Sequence, residues 1–561
     1  MTENVRPQRI GDSLWSIAFV WFLFAAVSFL SSQVPAVNEP HYLCKAKAFE
    51  TPAWCKRDFF LRSANAHYVF LKACGKLTPH LSLPALAIAG RLASTLVLAI
   101  GWWRLIGAVV PNGRETAWAM CLSAVLYALL SQLGSFSGEW LLGGFEAKVP
   151  SWGFALAATA EMIRAQSSLR LREFLLAGIC AGIALALHPV VGGWMAACLF
   201  GMGAVFQWKR WISPPAAANG PARTVASGPW QLLVFSVAVV VSSLPGLWPA
   251  IKFLTRQTAS SDDQLKASMI QVFWRLAHHL DPTHLSRRQW AYAAVLLIAI
   301  AIAAVSLKKR AARSGSESSG YSALATVFGF SSLIAVIGIA AGWHSQSFAE
   351  MYLEFQGWKI PATVLKFYPF RTFDGLLPIV AAIGLTLLTL HRLSLPQSEK
   401  APENGGIKTR RITIVGLLVM CAFSMAWRQG SPAPPGYTAA QFEDWKQACD
   451  WIRANTPKDS LILTPRESYG FKWFAERAEY VCYKDCPQDA KGILEWNDRL
   501  WFLHDWTLKS SGDAVYSDSD LKELRQKTKC DFVLTRILGP FESQPLWSSR
   551  EWRIYAVPVE N

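Results

Sequence analysis

Charge is scarce in this chain. Of its 561 residues only 17% are Asp, Glu, Lys or Arg, while 52% are hydrophobic; soluble domains carry about a quarter charged residues, so an ordinary soluble globule is excluded. Acidic residues are the scarcer kind, 39 against 55 Lys and Arg, and they are essentially absent from the centres of the apolar runs. That absence speaks against a transporter or lipid flippase, which needs ionisable groups at mid-membrane, and no inverted repeat accompanies it. The C-terminal part contains neither a glycine-rich phosphate loop nor a Ser/His/Asp arrangement with hydrolase spacing. The formal charge of +16 sits mainly in short alternating loops, where it reads as a topology signal and as contact with anionic membrane lipids; no nucleic acid is expected as a partner.

What is there is a series of long apolar blocks. A backbone in lipid must satisfy its own N–H and C=O groups, so each block reads as a helix. Eleven spans are expected, near 13–33, 82–103, 116–134, 150–165, 174–190, 192–208, 230–250, 290–307, 321–342, 374–391 and 411–427. The first run, Leu14 to Leu30, follows Arg6 and Arg9 but is long and filled with bulky residues such as Trp21 and Phe22, which suits an uncleaved first span. Basic residues cluster in alternate loops (Arg104 and Arg114; Arg164, Arg170 and Arg172; Lys209 and Arg210; Lys308, Lys309 and Arg310; Arg392, Lys408, Arg410 and Arg411), which assigns that side to the cytoplasm. The expectation is a multi-pass protein of a bacterial inner (cytoplasmic) membrane, with a cytoplasmic N-terminus.

The opposite loops, 34–81, 135–149, 251–289 and 343–373, are long and rich in aromatics, His, Arg and carboxylates. Polar equipment acting outside the cytoplasm belongs there. Seven of the 11 cysteines (Cys44, Cys55, Cys74, Cys449, Cys482, Cys486 and Cys530) fall on this outer side and none in the cytoplasmic loops. Disulfides are thus permitted, with Cys44–Cys55 and a bridge involving Cys482 or Cys486 as candidates. Metal binding by Cys482 and Cys486 finds no second Cys/His pair at ligand spacing.

The periodicity changes near Thr438. Phe442, Trp445, Ala448, Cys449 and Ile452 recur at three and four residues, predicting a helix that stops near Pro457. Strand-like runs at 460–464, 479–483, 531–535 and 552–557 alternate with helical stretches near 488–505 and 518–528. The fold class is therefore an α-helical polytopic membrane protein, a transmembrane domain over 1–430 followed by an extracytoplasmic α/β domain over 431–561 with a partly parallel sheet.

Several outer residues suit chemistry on an anionic ligand. Glu39, beside His41 just above the first span, is placed to act as a general base or to hold a divalent cation, or else to sit at the positive end of the helix that Pro40 begins. Glu146 and Lys148, behind Gly143 and Gly144, offer an acid and a base in a turn that lets backbone approach closely. His278 and His279, with Arg275, Arg287 and Arg288, form the densest run of imidazole and cation, suited to phosphate oxygens; ligation of a metal by His278, Asp281 and His284 is a weaker alternative. Arg371, between aromatics, either clamps a lipid-linked phosphate or snorkels and pairs with Asp374. Arg91 lies inside an apolar run and, facing the bundle, is a second anion-site candidate.

This layout resembles the GT-C class of polytopic membrane glycosyltransferases and related uncharacterised bacterial multi-pass proteins: an acidic residue in the first outer loop (Glu39), about eleven spans, long outer loops and a C-terminal outer domain. The run Asp450-Trp451-Ile452-Arg453 to Thr464-Pro465 looks like the helix-to-strand passage into that domain, and Phe471 to Arg477 and Tyr368-Pro369-Phe370-Arg371 look like segments of the uncharacterised relatives. The resemblance implies transfer of a sugar from a polyprenyl-phosphate-linked donor to an extracytoplasmic acceptor, with Glu39 as the catalytic base or metal holder. His41, Glu146, Lys148, His278, His279, Arg371 and Arg91 follow as candidate substrate-binding residues from charge and location. A second acidic residue, which many GT-C enzymes place nearby, is missing here: Pro40 and His41 follow Glu39. The alternatives are a transporter or lipid flippase, which the scarcity of acidic residues in the spans disfavours, and a non-catalytic envelope assembly protein.

Overall fold

The computed structural model describes residues 10–64, 67–110, 113–212, 229–255, 259–314, 319–394, 415–416, 420, 433–434, 436–512 and 514–558. Among them, eight helices are long and apolar enough to cross a membrane, over Leu14–Ser31, Leu83–Val109, Glu115–Leu133, Pro189–Ile212, Trp230–Pro249, Arg287–Arg313, Gly320–Gly342 and Phe355–His391. The chain is thus a multi-pass membrane protein. In order, α1 (Ile10–Ser31) leads into a loop with α2 (Glu39–Glu50), α3 (Phe59–Arg62) and α4 (Tyr68–Gly75). The bundle continues through α5 (Leu83–Val109), α6 (Gly113–Leu133), α7 (Lys148–Ser168), α8 (Leu171–Leu187), α9 (Pro189–Ile212) and α10 (Trp230–Thr255). A second folded loop carries α11 (Ser261–Met269), a π-helical turn Ile270–Arg275 and α12 (Ala277–Leu280). Then come α13 (Arg287–Ser314), α14 (Ser319–Gly342), the short α15 (Phe348–Leu353) and α16 (Lys359–Lys366), and α17 (Arg371–Ser394).

Two of the expected spans, 150–165 and 174–190, are helices but are not among these eight. α7 carries Glu161 and Arg164, and α8 has 17 residues. Both pack within the bundle, α7 against α5 and α8 against α10, and a helix sheltered by protein need not be apolar on every face. The span expected at 411–427 lies almost wholly outside the described residues, as does the boundary expected at 430–431.

The α5–α7 seam is close backbone packing. A Cβ on Gly101 would lie 2.1 Å from the Gly153 carbonyl oxygen, and one on Gly153 would lie 2.7 Å from the backbone of Val97. Small residues allow such approach in lipid, where dispersion rather than water exclusion holds helices together.

Beyond the bundle, α18 (Ala439–Asn455), β1 (Leu461–Leu463), α19 (Phe471–Ala475), β2 (Ala478–Glu479), α20 (Ala490–Ser510), α21 (Asp518–Thr528), β3 (Phe532–Thr535), β4 (Trp547–Ser548) and β5 (Arg553–Ala556) build a five-stranded sheet of order β2-β1-β3-β5-β4. β1 runs parallel to β2 and β3, and β5 antiparallel to β3 and β4. Alternate residues feed opposite faces, as a period of two requires. Ile462, Leu534 and Ile554 meet Trp445 and Ile452 of α18; Leu461, Leu463, Val533 and Tyr555 share a core with Trp496 of α20 and Leu521 and Leu524 of α21. That second core also takes in Leu43, Cys44, Phe60 and Phe70 of the first loop, so the sheet is seated on loop 34–81. Arg57 reinforces the seat, reaching Asp531 at 2.5 Å, and Tyr469 donates its hydroxyl proton to the Pro35 carbonyl at 2.7 Å.

Among the described residues all ten cysteines are free thiols, which removes the Cys44–Cys55 bridge and those expected of Cys482 and Cys486. Cys44, Cys55 and Cys482 are buried in packed interior and serve there as small apolar residues.

Overpacking a close seam costs about 1–3 kcal/mol or more. Gly101→Leu should therefore sharply lower the monodisperse, detergent-extracted yield, whereas Gly357→Ala, which meets nothing within 4 Å, should leave it unchanged by size-exclusion chromatography.

Candidate functional site

The bundle alternates direction, so the loops after α1, α6, α10 and α14 all emerge at one end. There they enclose a cavity of 660 Å³, closed in part by Lys484, Cys486, Pro487 and Gln488 of the C-terminal unit. Six of the eight side chains singled out from sequence line it: His41, Glu146, Lys148, His278, His279 and Arg371. Glu39 and Arg91 do not.

Glu39 lies beneath the lining and is fully buried. Its Oε1 accepts from Arg91 Nε (2.7 Å) and the Phe145 N–H (2.7 Å); its Oε2 accepts from Arg91 Nη2 (2.9 Å) and the Ala36 N–H (2.7 Å). A carboxylate has about four lone-pair sites, and all four are committed, so Glu39 has no capacity left for a substrate proton or a metal. Nor does it cap α2: the cap position is Asn38, and its side chain makes no capping bond. Arg91, 1% exposed, likewise has its anion already. Its remaining N–H groups go to the carbonyls of Ser32 and Gln33 (2.6 Å each) and, at 3.4 Å, Ser28. An α5 cation thereby satisfies the open carboxyl end of α1.

The pair positions the lining instead. By holding Ala36 and Phe145 it brings the start of loop 34–81 against the Gly143-Gly144 turn, where a Cβ on Gly144 would lie 2.5 Å from Ala36 Cβ. Ser31 Oγ donates to the Leu142 carbonyl at 3.1 Å, and Ser28 Oγ to that of Gly143. Asn38 then reaches Glu146 Oε1 (3.1 Å) while accepting from Lys484 Nζ (2.6 Å), and Lys148 Nζ lies 3.1 Å from Glu146 Oε2. Three distant segments thus meet in one chain of charge-assisted bonds.

Arg371 lies over the Tyr368 ring at 4.5 Å, with Nη1 donating to His188 Nε2 (3.1 Å) and Nε 3.4 Å from Glu139. Asp374, the alternative partner expected for it, is fixed by the backbone N–H groups of Phe136, Ser137 and Glu139 at 2.6–2.8 Å. Three backbone donors outcompete a mobile side chain, and the carboxylate anchors loop 135–149. His279 Nδ1 donates to the Ser137 carbonyl (2.5 Å), and burial, with His278 beside it, pulls its pKa down to about 3. Gly138, at φ +83°, makes room: a Cβ there would stand 2.4 Å from the His279 ring. His278 lies against His279, the ring centroids 4.0 Å apart and the planes tilted by 44°, and is exposed. It stands apart from Asp281, whose Oδ2 instead takes His284 (2.8 Å) and His344 (3.0 Å), so the trio His278, Asp281 and His284 does not assemble.

Sequence reasoning missed Asn38 and Lys484 and left Arg275 a neighbour of the histidines. Arg275 lines the cavity, donates from Nη2 to the Lys484 carbonyl (2.9 Å) and has a buried Nε with no partner. It missed Asp485 too. Asp485 accepts from His41 Nδ1 (2.8 Å) and from Lys472 Nζ (2.7 Å), and Lys472 also holds Glu479 (2.7 Å) and Asp58 (3.5 Å). Glu479, Cys482 and Asp485 are close enough to suggest a metal site, but the Lys472 ammonium already bridges the two carboxylates. Burial alone would raise Asp485; Lys472 and the His41 hydrogen bond outweigh it and hold the carboxyl well below its ordinary range. The only sequence signal for Lys484 and Asp485 was their place in Cys482-Tyr483-Lys484-Asp485-Cys486, where the cysteine spacing drew the attention.

Comparison with known proteins adds three findings. Residues 443–503 match the family described as a domain of unknown function (DUF6798). No curated protein matches the sequence. Among solved structures, the Archaeoglobus fulgidus oligosaccharyltransferase in the apo form is similar over 94% of this chain and 69% of that one, with 11% identity and a TM-score of 0.47. The chemistry of the site stands on its own geometry.

Removing one member of a buried ion pair costs about 3–5 kcal/mol, because the other charge is left uncompensated. Arg91→Met and Glu39→Gln should each destabilise the solubilised protein by that order in thermal unfolding, and the double replacement should cost less than the sum of the two.

Proposed function

We propose that this chain is a membrane glycosyltransferase that takes a sugar from a polyprenyl-phosphate-linked donor and passes it to an acceptor on the extracytoplasmic side. One observation carries the reading: Lys148, Arg275, Arg371 and Lys484, with three histidines and, among the described residues, the single lining carboxylate Glu146, converge on one 660 Å³ cavity at the loop end of a bundle of apolar helices. The helices offer the polyprenyl tail a hydrocarbon environment. The cations suit its phosphate, whose negative charge grows as the bond to the sugar breaks, and pre-placed charge acts most strongly where water is excluded. The unpartnered Arg275 Nε supports an anionic occupant, since a buried donor without a partner is costly. Closure by the C-terminal unit supports a hydroxyl acceptor from the aqueous side.

The lining fits a divalent cation poorly, because among the described residues Glu146 is its one carboxylate and is held by Lys148 and Asn38. Leaving-group charge is then met by side-chain cations. Glu39, expected as base or metal holder, takes a positioning role through Arg91. On this reading the loop end faces outward, in keeping with the basic residues at the other end.

The test is direct. The full chain in lipid nanodiscs should bind undecaprenyl phosphate and release or transfer labelled sugar from undecaprenyl-phosphate-linked hexoses. Lys484→Ala and Arg275→Gln should each weaken lipid-phosphate binding by about tenfold to a hundredfold, as expected for a lost charge-assisted hydrogen bond. Binding without sugar release from any hexose donor would overturn transfer and favour a lipid carrier.

A further inference from the structure

The proton acceptor of the reaction is not assigned by the cations, and the carboxylate expected to serve is occupied by Arg91. We infer that His41, oriented by Asp485 from the C-terminal unit, takes the proton from the acceptor hydroxyl. This rests on the transferase reading above and concerns how its chemistry is divided between two distant parts of the chain.

The geometry is that of an imidazole fixed by a carboxylate. His41 Nδ1 donates to Asp485 Oδ1 at 2.8 Å, which leaves Nε2 as the basic nitrogen of the neutral ring. Asp485 does not swing, since its other oxygen is 2.7 Å from the buried Lys472 ammonium. The ring itself rests against Phe60 (4.5 Å between centroids) and edge-on to Tyr42 (5.3 Å). His41 lines the cavity, and among the described residues its Nε2 has no hydrogen-bond partner.

The other lining groups are worse placed. Both oxygens of Glu146 are engaged, by Asn38 and by Lys148. His279 is oriented by a neutral carbonyl, which stabilises the imidazolium far less than a carboxylate does, and its pKa near 3 makes it a weak base. His278 is exposed and has no orienting hydrogen bond among the described residues. For His41, burial lowers the pKa while the Asp485 hydrogen bond and charge oppose the fall; Lys45 and Lys484 are the other charges that face it, and both lower it further. The ring is therefore neutral at neutral pH and able to accept a proton. Lys45, held by Ser63 Oγ (2.9 Å) and the Ala64 carbonyl (3.0 Å), is itself pulled by burial down to about 7, so its own titration falls above that of His41.

In the step, His41 Nε2 takes the hydroxyl proton as the acceptor oxygen forms its bond to the anomeric carbon. The bond from that carbon to the phosphate oxygen breaks, and its electron pair leaves with the polyprenyl phosphate. The proton on His41 passes to solvent when the products depart. Because His41 is in loop 34–81 and Asp485 is some 440 positions later, the base is complete only when the sheet unit is seated on that loop.

The experiment measures sugar release from undecaprenyl-phosphate-linked hexoses by the full chain in nanodiscs, across pH, beside undecaprenyl phosphate binding. His41→Gln should lower kcat by about a hundredfold or more, the usual contribution of a general base, with lipid-phosphate binding within a few-fold of the native value. The native rate should fall as pH drops through a pKa below the ordinary histidine value. Asp485→Asn, which removes the group that raises that pKa, should shift this acid limb to lower pH; a merely structural role would leave the limb in place. Should Asp485→Asn fail to fold, the His41→Gln rate and binding decide alone. An active native chain with undiminished turnover in His41→Gln overturns the dyad and leaves the transferase reading standing. A native chain that binds the lipid but releases no sugar overturns the transferase reading, and the dyad with it.

Discussion

One buried ion pair fixes the geometry of everything around the cavity. Glu39 and Arg91 are both removed from water, where an unpaired charge is prohibitively costly, so each must find all of its partners within protein. Arg91 finds them in Glu39 and in the carbonyls beyond the end of α1; Glu39 finds them in Arg91 and in the N–H groups of Ala36 and Phe145. The closed set of bonds ties α1, α5, the first loop and the second loop at one point. A carboxylate at the head of the first outer loop here serves as an anchor beneath the site.

From that point the site is built in tiers. Asp374 draws loop 135–149 onto α17 through three backbone donors, which sets Glu139 against Arg371. The sheet unit then settles on loop 34–81 through a shared apolar core and the Asp58–Lys472–Glu479–Asp485 network, and it delivers Lys484 to the cavity and Asp485 to the back of His41. Core packing supplies the general attraction, while buried charges with few possible partners select the register in which the parts meet.

Much of this was legible in the sequence because it depends on local pattern. Apolar blocks set the helices, and strand-like runs alternating with helical stretches set a partly parallel sheet, although the short β4 gave no such signal. The grouping of polar residues in alternate loops was legible for the same reason, and six of the eight side chains chosen on that ground line one cavity. What the sequence hides is pairing over distance. Nothing local tells that Arg91 will claim Glu39, that Glu139 rather than Asp374 will meet Arg371, or that His41 will find Asp485. The runs 150–165 and 174–190 form helices as expected, but their apolarity alone does not separate a helix facing lipid from one sheltered by its neighbours. The Cys482–Cys486 spacing pointed to thiol chemistry, whereas what this segment brings is the Lys484 ammonium in the lining and the Asp485 carboxylate behind His41.

The most direct measurement is an experimental structure of the full chain in a bilayer mimetic with undecaprenyl phosphate added. The account predicts the phosphate inside the cavity, within hydrogen-bonding reach of Arg275, Arg371 and Lys484, above an intact Glu39–Arg91 pair. A phosphate bound elsewhere, or these cations turned outward on separate surfaces, would contradict it.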